Sequence, residues 1–335
     1  MSEHATHIPE SMKAVRQHKP GEAPVIETVP VPRPGKGEVL VKMHFSPLNP
    51  SDLSLLKGGY LERKYPFIAG LEGSGRVVAS GGGAMAHMRK GKWVACTPDP
   101  AGNGTWAEYM KTSALRTVTL PGGISPEQGS MMLVNPMTAL ALLDIAKKGR
   151  HRAVVNNAAA SALGKMLIRL SGQSGIPMIN IVRSSGQVEE LKSLGARYVL
   201  NSADPSYEKE LAKMAAELHA TLLLDAVGGE QSSILMRAAP HGSTLLIYAR
   251  LSGEPVVTEP GWMIQEGKKI EGFQLGLRLQ EMGLISKLQL INRVKRGISG
   301  LLTTSVRTVM PMEEINKAIS MYQKKMSSGK IIIHI

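Results

Sequence analysis

Between residues 152 and 275 the chain alternates short runs that are apolar on both faces with segments of helical periodicity, and this alternation restricts the fold more than any other feature. The runs are Arg152 to Asn156, Pro177 to Val182, Tyr198 to Asn201, Thr221 to Ala226, Thr244 to Tyr248 and Lys269 to Leu275. Between them lie the helical patterns Gly164 to Ser174, Val188 to Leu194, Tyr207 to Leu218 and Ile234 to Ala239. A strand that is apolar on both faces must be covered on both. Connecting helices achieve this when the strands run parallel, so the spacing predicts a doubly wound parallel sheet.

The flanking sequence has another pattern. Residues 38–45 alternate as a strand does, and Gly70, Gly73, Gly75, Gly81, Gly82, Gly83 and Gly91 break the chain into short apolar pieces. A small, strongly bent sheet or barrel is expected up to about residue 120. Ser125-Pro126-Glu127-Gln128 then offers a capping serine and a proline at the first helical position, which predicts a helix running through Leu140, Leu143 and Ala146. After Gly276, the spacing Leu279, Met282, Ile285, Leu288, Ile291, Val294 predicts an amphipathic helix.

A chain of 335 residues, 43% apolar and 20% charged, has the composition of a two-domain globular protein. Its single cysteine, Cys96, excludes an internal disulfide, a cysteine-rich zinc lobe and an iron–sulfur cluster, and points to a reducing, cytoplasmic setting. No apolar run is long enough for a membrane span, and Met1 to Lys13 carries Glu3 and Glu10 but no apolar core of a signal peptide. Met1 to Ser11 is read as a loose tail. The formal charge of +13 favours acidic ligands, and from Leu277 onward ten basic residues face three acidic ones. Aromatic residues at 4% argue against a nucleic-acid reader, which would interleave them with the basic residues for stacking. A solvated basic face and an acidic substrate or carrier both remain open.

An open parallel sheet binds its ligand at the carboxyl ends of the strands. Here the first such junction reads Asn156-Asn157-Ala158-Ala159-Ala160-Ser161-Ala162-Leu163-Gly164. Small residues let the backbone approach a pyrophosphate, whose charge the following helix start favours. A strict G-x-G-x-x-G is absent, so plain helix packing is an equal reading of this run. The second strand ends in Arg183-Ser184-Ser185, where a cofactor with free ribose hydroxyls would meet an acidic residue. A guanidinium with flanking hydroxyls suits a 2′-phosphate, so NADPH is expected over NADH. The alternative for Arg183 is an ordinary surface arginine.

The order of segments resembles the medium-chain dehydrogenase/reductase superfamily from Met12 to Ile335. The similarity is carried by Met12-Lys13-Ala14-Val15, Leu48-Asn49-Pro50-Ser51-Asp52, Gly70-Leu71-Glu72-Gly73, Lys192-Ser193-Leu194-Gly195-Ala196, Leu224-Asp225-Ala226-Val227-Gly228-Gly229 and Ser328-Gly329-Lys330. The resemblance implies an α/β fold: a Rossmann-type, doubly wound parallel sheet domain (126–276) inserted in a β-rich, GroES-like catalytic domain (12–125 and 277–335). Zinc-dependent alcohol dehydrogenases of the superfamily carry a Cys just before the Asp-containing turn and a His before the Glu of Gly-His-Glu. Asn49 and Leu71 hold those places here, and a leucine has no electron pair for a metal. A metal-free reductase is therefore expected.

Within the zinc-free branch the chain is most similar to trans-2-enoyl thioester reductases, then to quinone oxidoreductases and zeta-crystallin. The segment from Asn49 to Tyr60 resembles the enoyl reductase stretch that ends in its catalytic tyrosine, which implies Tyr60 as proton donor. A loop tyrosine packed over Pro66 and Phe67 is the other reading. Val134-Asn135-Pro136-Met137-Thr138 is similar to the stretch whose Asn contacts NADPH. The resemblance further implies cofactor contacts at Asn135, Thr138, Ala160, Ser161, Ala162, Leu163, Gly164, Arg183, Ser184, Ser185, Tyr248, Leu251, Phe273, Leu275 and Lys330. Two departures are Arg250, where small residues normally admit the nicotinamide ring, and Gln274, where one of two acyl-pocket aromatics is replaced.

The expected activity is NADPH-dependent reduction of an enoyl thioester, an enone or a quinone. A low-turnover NADPH-binding structural or RNA-binding protein of zeta-crystallin type is the alternative. The family also implies a homodimer that extends the nucleotide-domain sheet, with Thr244 to Tyr248 near its edge.

Overall fold

The computed structural model describes residues 7–59 and 63–335. The chain divides into two compact units, one comprising the chain up to Val134 together with Arg293–Ile335, the other Asn135–Asn292. The first break comes after the change of pattern at Ser125, for a packing reason. Ser125 caps a helix of only four residues, Pro126–Gly129, whose Pro126 carbonyl accepts from the Ser74 hydroxyl and whose Gly129 lies against Leu120. Helix Val134–Lys148 is separate, so the single helix expected from Ser125 to Ala146 is two.

The unit Asn135–Asn292 holds six strands: Ala153–Asn156, Met178–Val182, Tyr198–Asn201, Ala220–Asp225, Thr244–Ile247 and Lys269–Gly272. Every pairing is parallel, and in chain order the strands lie third, second, first, fourth, fifth, sixth. That is the doubly wound order, with its reversal beside the first strand. All residues of Ala153–Asn156 and Met178–Val182 are buried, as the two-sided apolar pattern requires. One face packs Val155, Ile179 and Leu223 against Leu211, Leu235 and Met236, and another cluster joins Val182 with Ile168 and Leu191. Each such aliphatic side chain contributes about 1.5–3 kcal/mol relative to exposure. The two edge strands are Tyr198–Asn201 and Lys269–Gly272, with Thr244–Ile247 one strand in from the latter. Gly272 ends that strand, and Leu275–Glu281 is helical. The amphipathic pattern after Gly276 is split at Met282 and Gly283 into this helix and Leu284–Gly297.

The other unit is β-rich. Its larger sheet runs Val306–Pro311, Lys330–His334, Glu38–Pro47, Gly73–Ser80, Trp93–Cys96, Thr117–Thr119, and Tyr109–Ser113 also pairs with Glu38–Pro47. A second sheet joins Val25–Pro30, Ser11–Gln17 and Phe67–Ile68. Ile8, within the segment read as a tail, packs half-buried against the cluster of Met12, Ala14 and Leu40. The antiparallel register Ile332↔Pro47 lays the start of the C-terminal strand beside Leu48 and Asn49, and the Leu48 N–H donates to the Ile331 carbonyl at 2.9 Å.

Candidate functional site

In the parallel-sheet unit the chain leaves the first strand through a tight turn. Ala158 adopts a left-handed backbone (φ +49°), a conformation that costs a residue with a Cβ about 1 kcal/mol and that glycine would accept freely. Ser161 caps helix Ala162–Ser174, its Oγ accepting from the Gly164 N–H at 3.0 Å. A Cβ on Gly164 would lie 2.3 Å from the Ala159 carbonyl oxygen, so glycine is required there for close approach of helix and turn. Gly164 thus serves packing, while Ala160 and Leu163 are buried and Ser161 and Ala162 are half-buried.

The turn is held by two residues that sequence reasoning did not select as site residues. Buried Asn157 donates from Nδ2 to Asp225 Oδ1 at 2.6 Å and accepts the Ala226 N–H on Oδ1 at 2.7 Å. The same Asp225 oxygen accepts the N–H groups of Val227 (2.8 Å) and Gly228 (3.0 Å), and Oδ2 accepts the Ser232 hydroxyl at 2.5 Å. One buried carboxylate therefore shapes the loops after both the first and the fourth strand. The Leu224-Asp225-Ala226-Val227-Gly228-Gly229 motif carries that signal in the sequence.

Beyond the second strand, Arg183, Ser184 and Ser185 are exposed together. The Arg183 N–H donates to Gln187 Oε1, while its guanidinium has no partner among the described residues. Ser184 stands at the start of helix Ser185–Ser193 without using its hydroxyl as a cap. The Tyr248 hydroxyl is enclosed yet has no hydrogen-bond partner, and burial pushes its pKa up. An unpaired cation, two free hydroxyls and one orphaned phenol are groups that a phosphate-bearing dinucleotide could satisfy.

The remaining predicted residues are spread over both units. Asn135 and Thr138 lie one turn apart near the start of helix Val134–Lys148, half-buried and buried respectively. Leu251 is exposed, with its N–H on the Ala226 carbonyl, and exposed Arg250 runs past Gly228, its Cγ 3.5 Å from where a Cβ on that glycine would lie. Phe273 and Leu275 are half-buried. Gln274 is the capping residue of Leu275–Glu281, its Oε1 accepting from Leu277 N–H at 2.5 Å. Tyr60 lies outside the described residues. Lys330 is buried in the β-rich unit, donating from Nζ to the Leu48 carbonyl at 2.9 Å and to Asn49 Oδ1.

Around Lys330 sits a cluster of ionisable side chains. Asn49 donates from Nδ2 to Glu72 Oε1 at 3.0 Å, and Glu72 Oε2 accepts the backbone N–H groups of Leu133 (3.2 Å) and Val134 (2.9 Å). Asp52 accepts from the N–H of Asn49 at 2.8 Å and of Leu71 at 3.0 Å, the first of which satisfies the capping residue of helix Pro50–Leu56 from the helix's own first turn. Burial pushes the Asp52 carboxyl up to about 7, raises that of Glu72 and draws the Lys330 ammonium down to about 8.

The two positions that hold metal ligands in zinc-dependent relatives do not fit a metal here. Both ends of the Asn49 amide are engaged, and Leu71 packs its hydrocarbon against the core. Cys96 is buried with its S–H toward the Gly73 carbonyl, and burial raises its thiol pKa.

A parallel sheet of this order, with polar side chains at the carboxyl ends of its first two strands and joined in one chain to a β-rich unit, defines a two-domain nucleotide-dependent dehydrogenase or reductase. The family model for the alcohol dehydrogenase GroES-like domain matches residues 35–122, and that for zinc-binding dehydrogenases matches 162–289. Curated relatives include the mitochondrial enoyl-acyl-carrier-protein reductase of Rattus norvegicus, 30% identical over 311 residues, covering 88% of this chain and 80% of that one. The Xenopus tropicalis counterpart is 29% identical, covering 92% and 90%. Among solved structures, a Mesorhizobium loti protein described as an NADPH:quinone reductase superposes with a TM-score of 0.89 at 32% identity, covering 98% of this chain and all of that one. The chain belongs to the medium-chain dehydrogenase/reductase superfamily, in the group that includes these enoyl and quinone reductases.

Proposed function

We propose that the protein reduces an activated C=C bond, in a 2-enoyl thioester or enone, or a quinone, and does so without zinc. It is an NADPH-dependent oxidoreductase acting on a small molecule, as the names of its relatives indicate. The observation that carries the cofactor reading is the exposed, unpartnered Arg183 beside Ser184 and Ser185 at the end of the second strand. A carboxylate there would repel a 2′-phosphate, whereas the guanidinium can bind it through charge-assisted hydrogen bonds. Ser161, Tyr248 and the backbone of residues 158–160 complete the proposed dinucleotide contacts, with Asn135 and Thr138 supplying polar groups.

These residues would hold a nicotinamide dinucleotide, which when bound would be the source of the hydride for the β carbon. The chain must then deliver a proton to the α carbon while negative charge builds on the carbonyl oxygen. A phenol, with a reference pKa near 10, stays protonated at pH 7 and can donate without adding charge to the site. Tyr60 is assigned this role on its place in the sequence. The zinc-free reading is supported by Asn49, whose amide is held by an ammonium and a carboxylate, and by apolar Leu71.

Pairing of two copies along the edge strand Lys269–Gly272, the edge nearer Thr244–Ile247, is proposed for the homodimer, and the cytoplasm is proposed as location. Among the described residues no helix is long and apolar enough to cross a membrane. The deciding experiment is an NADPH-oxidation screen of crotonyl-CoA, a longer enoyl-CoA, an enone and a quinone, repeated with NADH. Turnover of an enoyl thioester with NADPH preference is expected, and Tyr60→Phe should lower kcat with little change in NADPH affinity. Absence of oxidation across the panel, with salt-sensitive RNA binding, would replace this reading by the low-turnover alternative.

A further inference from the structure

We propose that Lys330 is a positioning residue whose buried ammonium orients the Asn49 amide and balances the carboxyls of Asp52 and Glu72, thereby fixing the start of helix Pro50–Leu56.

Asn49, Asp52, Glu72 and Lys330 are each no more than 2% exposed. Two carboxyls thus share their enclosure with one ammonium, whose charge opposes the upward push of burial on both. The ammonium does not pair with the carboxylates directly. Instead it donates to Leu48 O and Asn49 Oδ1, while Asn49 Nδ2 donates to Glu72. An amide with a cation on its oxygen and an anion on its nitrogen has only one favourable orientation, since a flip would set donor against donor and acceptor against acceptor. The face of Tyr322, with its centroid 5.8 Å from Nζ, closes a further side.

The consequence is mechanical. The Asn49 backbone N–H is tied to Asp52, and helix Pro50–Leu56 ends in the turn where Gly58 takes φ +70° and Gly59 N–H donates to Ser54 O at 2.8 Å. Lys330 reaches this region because the C-terminal strand pairs in the register Ile332↔Pro47, across nearly the whole length of the chain. The role differs from the cofactor contact that the family resemblance implies for the same lysine, and the two roles are separable by experiment.

Its kinetic arm rests on the reductase reading, whereas its binding and stability arms do not. The full-length variants Lys330→Met, Lys330→Arg, Glu72→Gln and Lys330→Met/Glu72→Gln are compared by NADPH fluorescence titration, thermal unfolding at pH 7 and steady-state kinetics. Lys330→Met is expected to lower the unfolding temperature and to reduce kcat tenfold or more, with the NADPH Kd within threefold of the parent. Adding Glu72→Gln should restore part of the lost unfolding temperature, because it removes the uncompensated carboxyl, and Lys330→Arg should retain more kcat than Lys330→Met. A tenfold weaker NADPH Kd with unchanged kcat would instead make Lys330 a cofactor contact. Additive losses in the double variant would equally overturn the proposal. If Lys330→Met yields no folded protein, the double variant is still expected to fold, and its failure to do so would count against charge balance. A parent inactive on every substrate would sink the reductase reading while leaving the Kd and unfolding comparisons intact.

Discussion

Asn157 and Asp225, 68 residues apart in sequence, meet at 2.6 Å in the interior of the parallel-sheet unit, where the amide of one presents the carboxylate of the other to three further donors. Asp225→Ala strands the Asn157 amide, the Val227 and Gly228 N–H groups and the Ser232 hydroxyl. A loss of about 3 kcal/mol or more in urea unfolding is expected, since each abandoned buried donor costs about 1–3 kcal/mol. NADPH affinity should fall with it. A loss below about 1 kcal/mol would show that the loops hold their shape without this carboxylate.

Arg183 offers a cleaner separation of cofactors. Its guanidinium makes no hydrogen bond or ion pair with another described residue, and the residue is exposed, so its removal is expected to leave the fold intact. Arg183→Ala is expected to raise the NADPH Kd by about tenfold, or about 1.4 kcal/mol, leaving NADH binding unchanged. Equal weakening of both cofactors would assign the residue to something other than the 2′-phosphate.

Gly164 tests the packing of the turn after the first parallel strand. With a Cβ forced to within 2.3 Å of the Ala159 carbonyl, Gly164→Ala must push helix Ala162–Ser174 away from the turn. Destabilisation of about 1–3 kcal/mol is expected, together with weaker NADPH binding. Full stability in the variant would mean that the helix shifts without cost.

The pH dependence of stability is set in part by Asp52. Its carboxyl is raised by burial from 3.8 to about 7, so across that window the folded chain holds a proton that the unfolded chain has released. Stability then falls as pH rises from about 4 to 7, by at most about 1.4 kcal/mol per pH unit from this group, and the effect is absent below that window. Lys330 acts in the opposite sense. With its pKa depressed to about 8, it loses its proton in the folded chain first, and stability rises between about 8 and 10.5. Urea unfolding of Asp52→Asn at pH 4.5, 6 and 7.5 should show a flatter profile than the parent, at the expense of one hydrogen bond to Asn49 or Leu71. Parallel profiles would refute the assignment.

How much of the fold and site is legible in the sequence depends on the kind of signal. The strands Met178–Val182 and Thr244–Ile247 stand out because two-sided burial leaves few polar residues on either face. Gln274 does not, since a helix cap is decided by which backbone N–H lies nearby. The break after Gly129 is equally hidden. The N–H groups of Leu133 and Val134 are taken by Glu72, more than sixty residues earlier, and nothing local to them announces a distant carboxylate.

By itself, then, the order of residues determined the parallel sheet, the small-residue turn after its first strand and the arginine at the end of its second. These are matters of local periodicity and of charge next to a predictable strand end. Tertiary structure alone decided that Asn157 and Asp225 share hydrogen bonds and that Glu72 reaches Leu133 and Val134. It alone enclosed Lys330 against Asn49. Those pairings join segments whose approach is set by sheet register and core packing, and a buried polar group takes whichever partner the fold brings within reach.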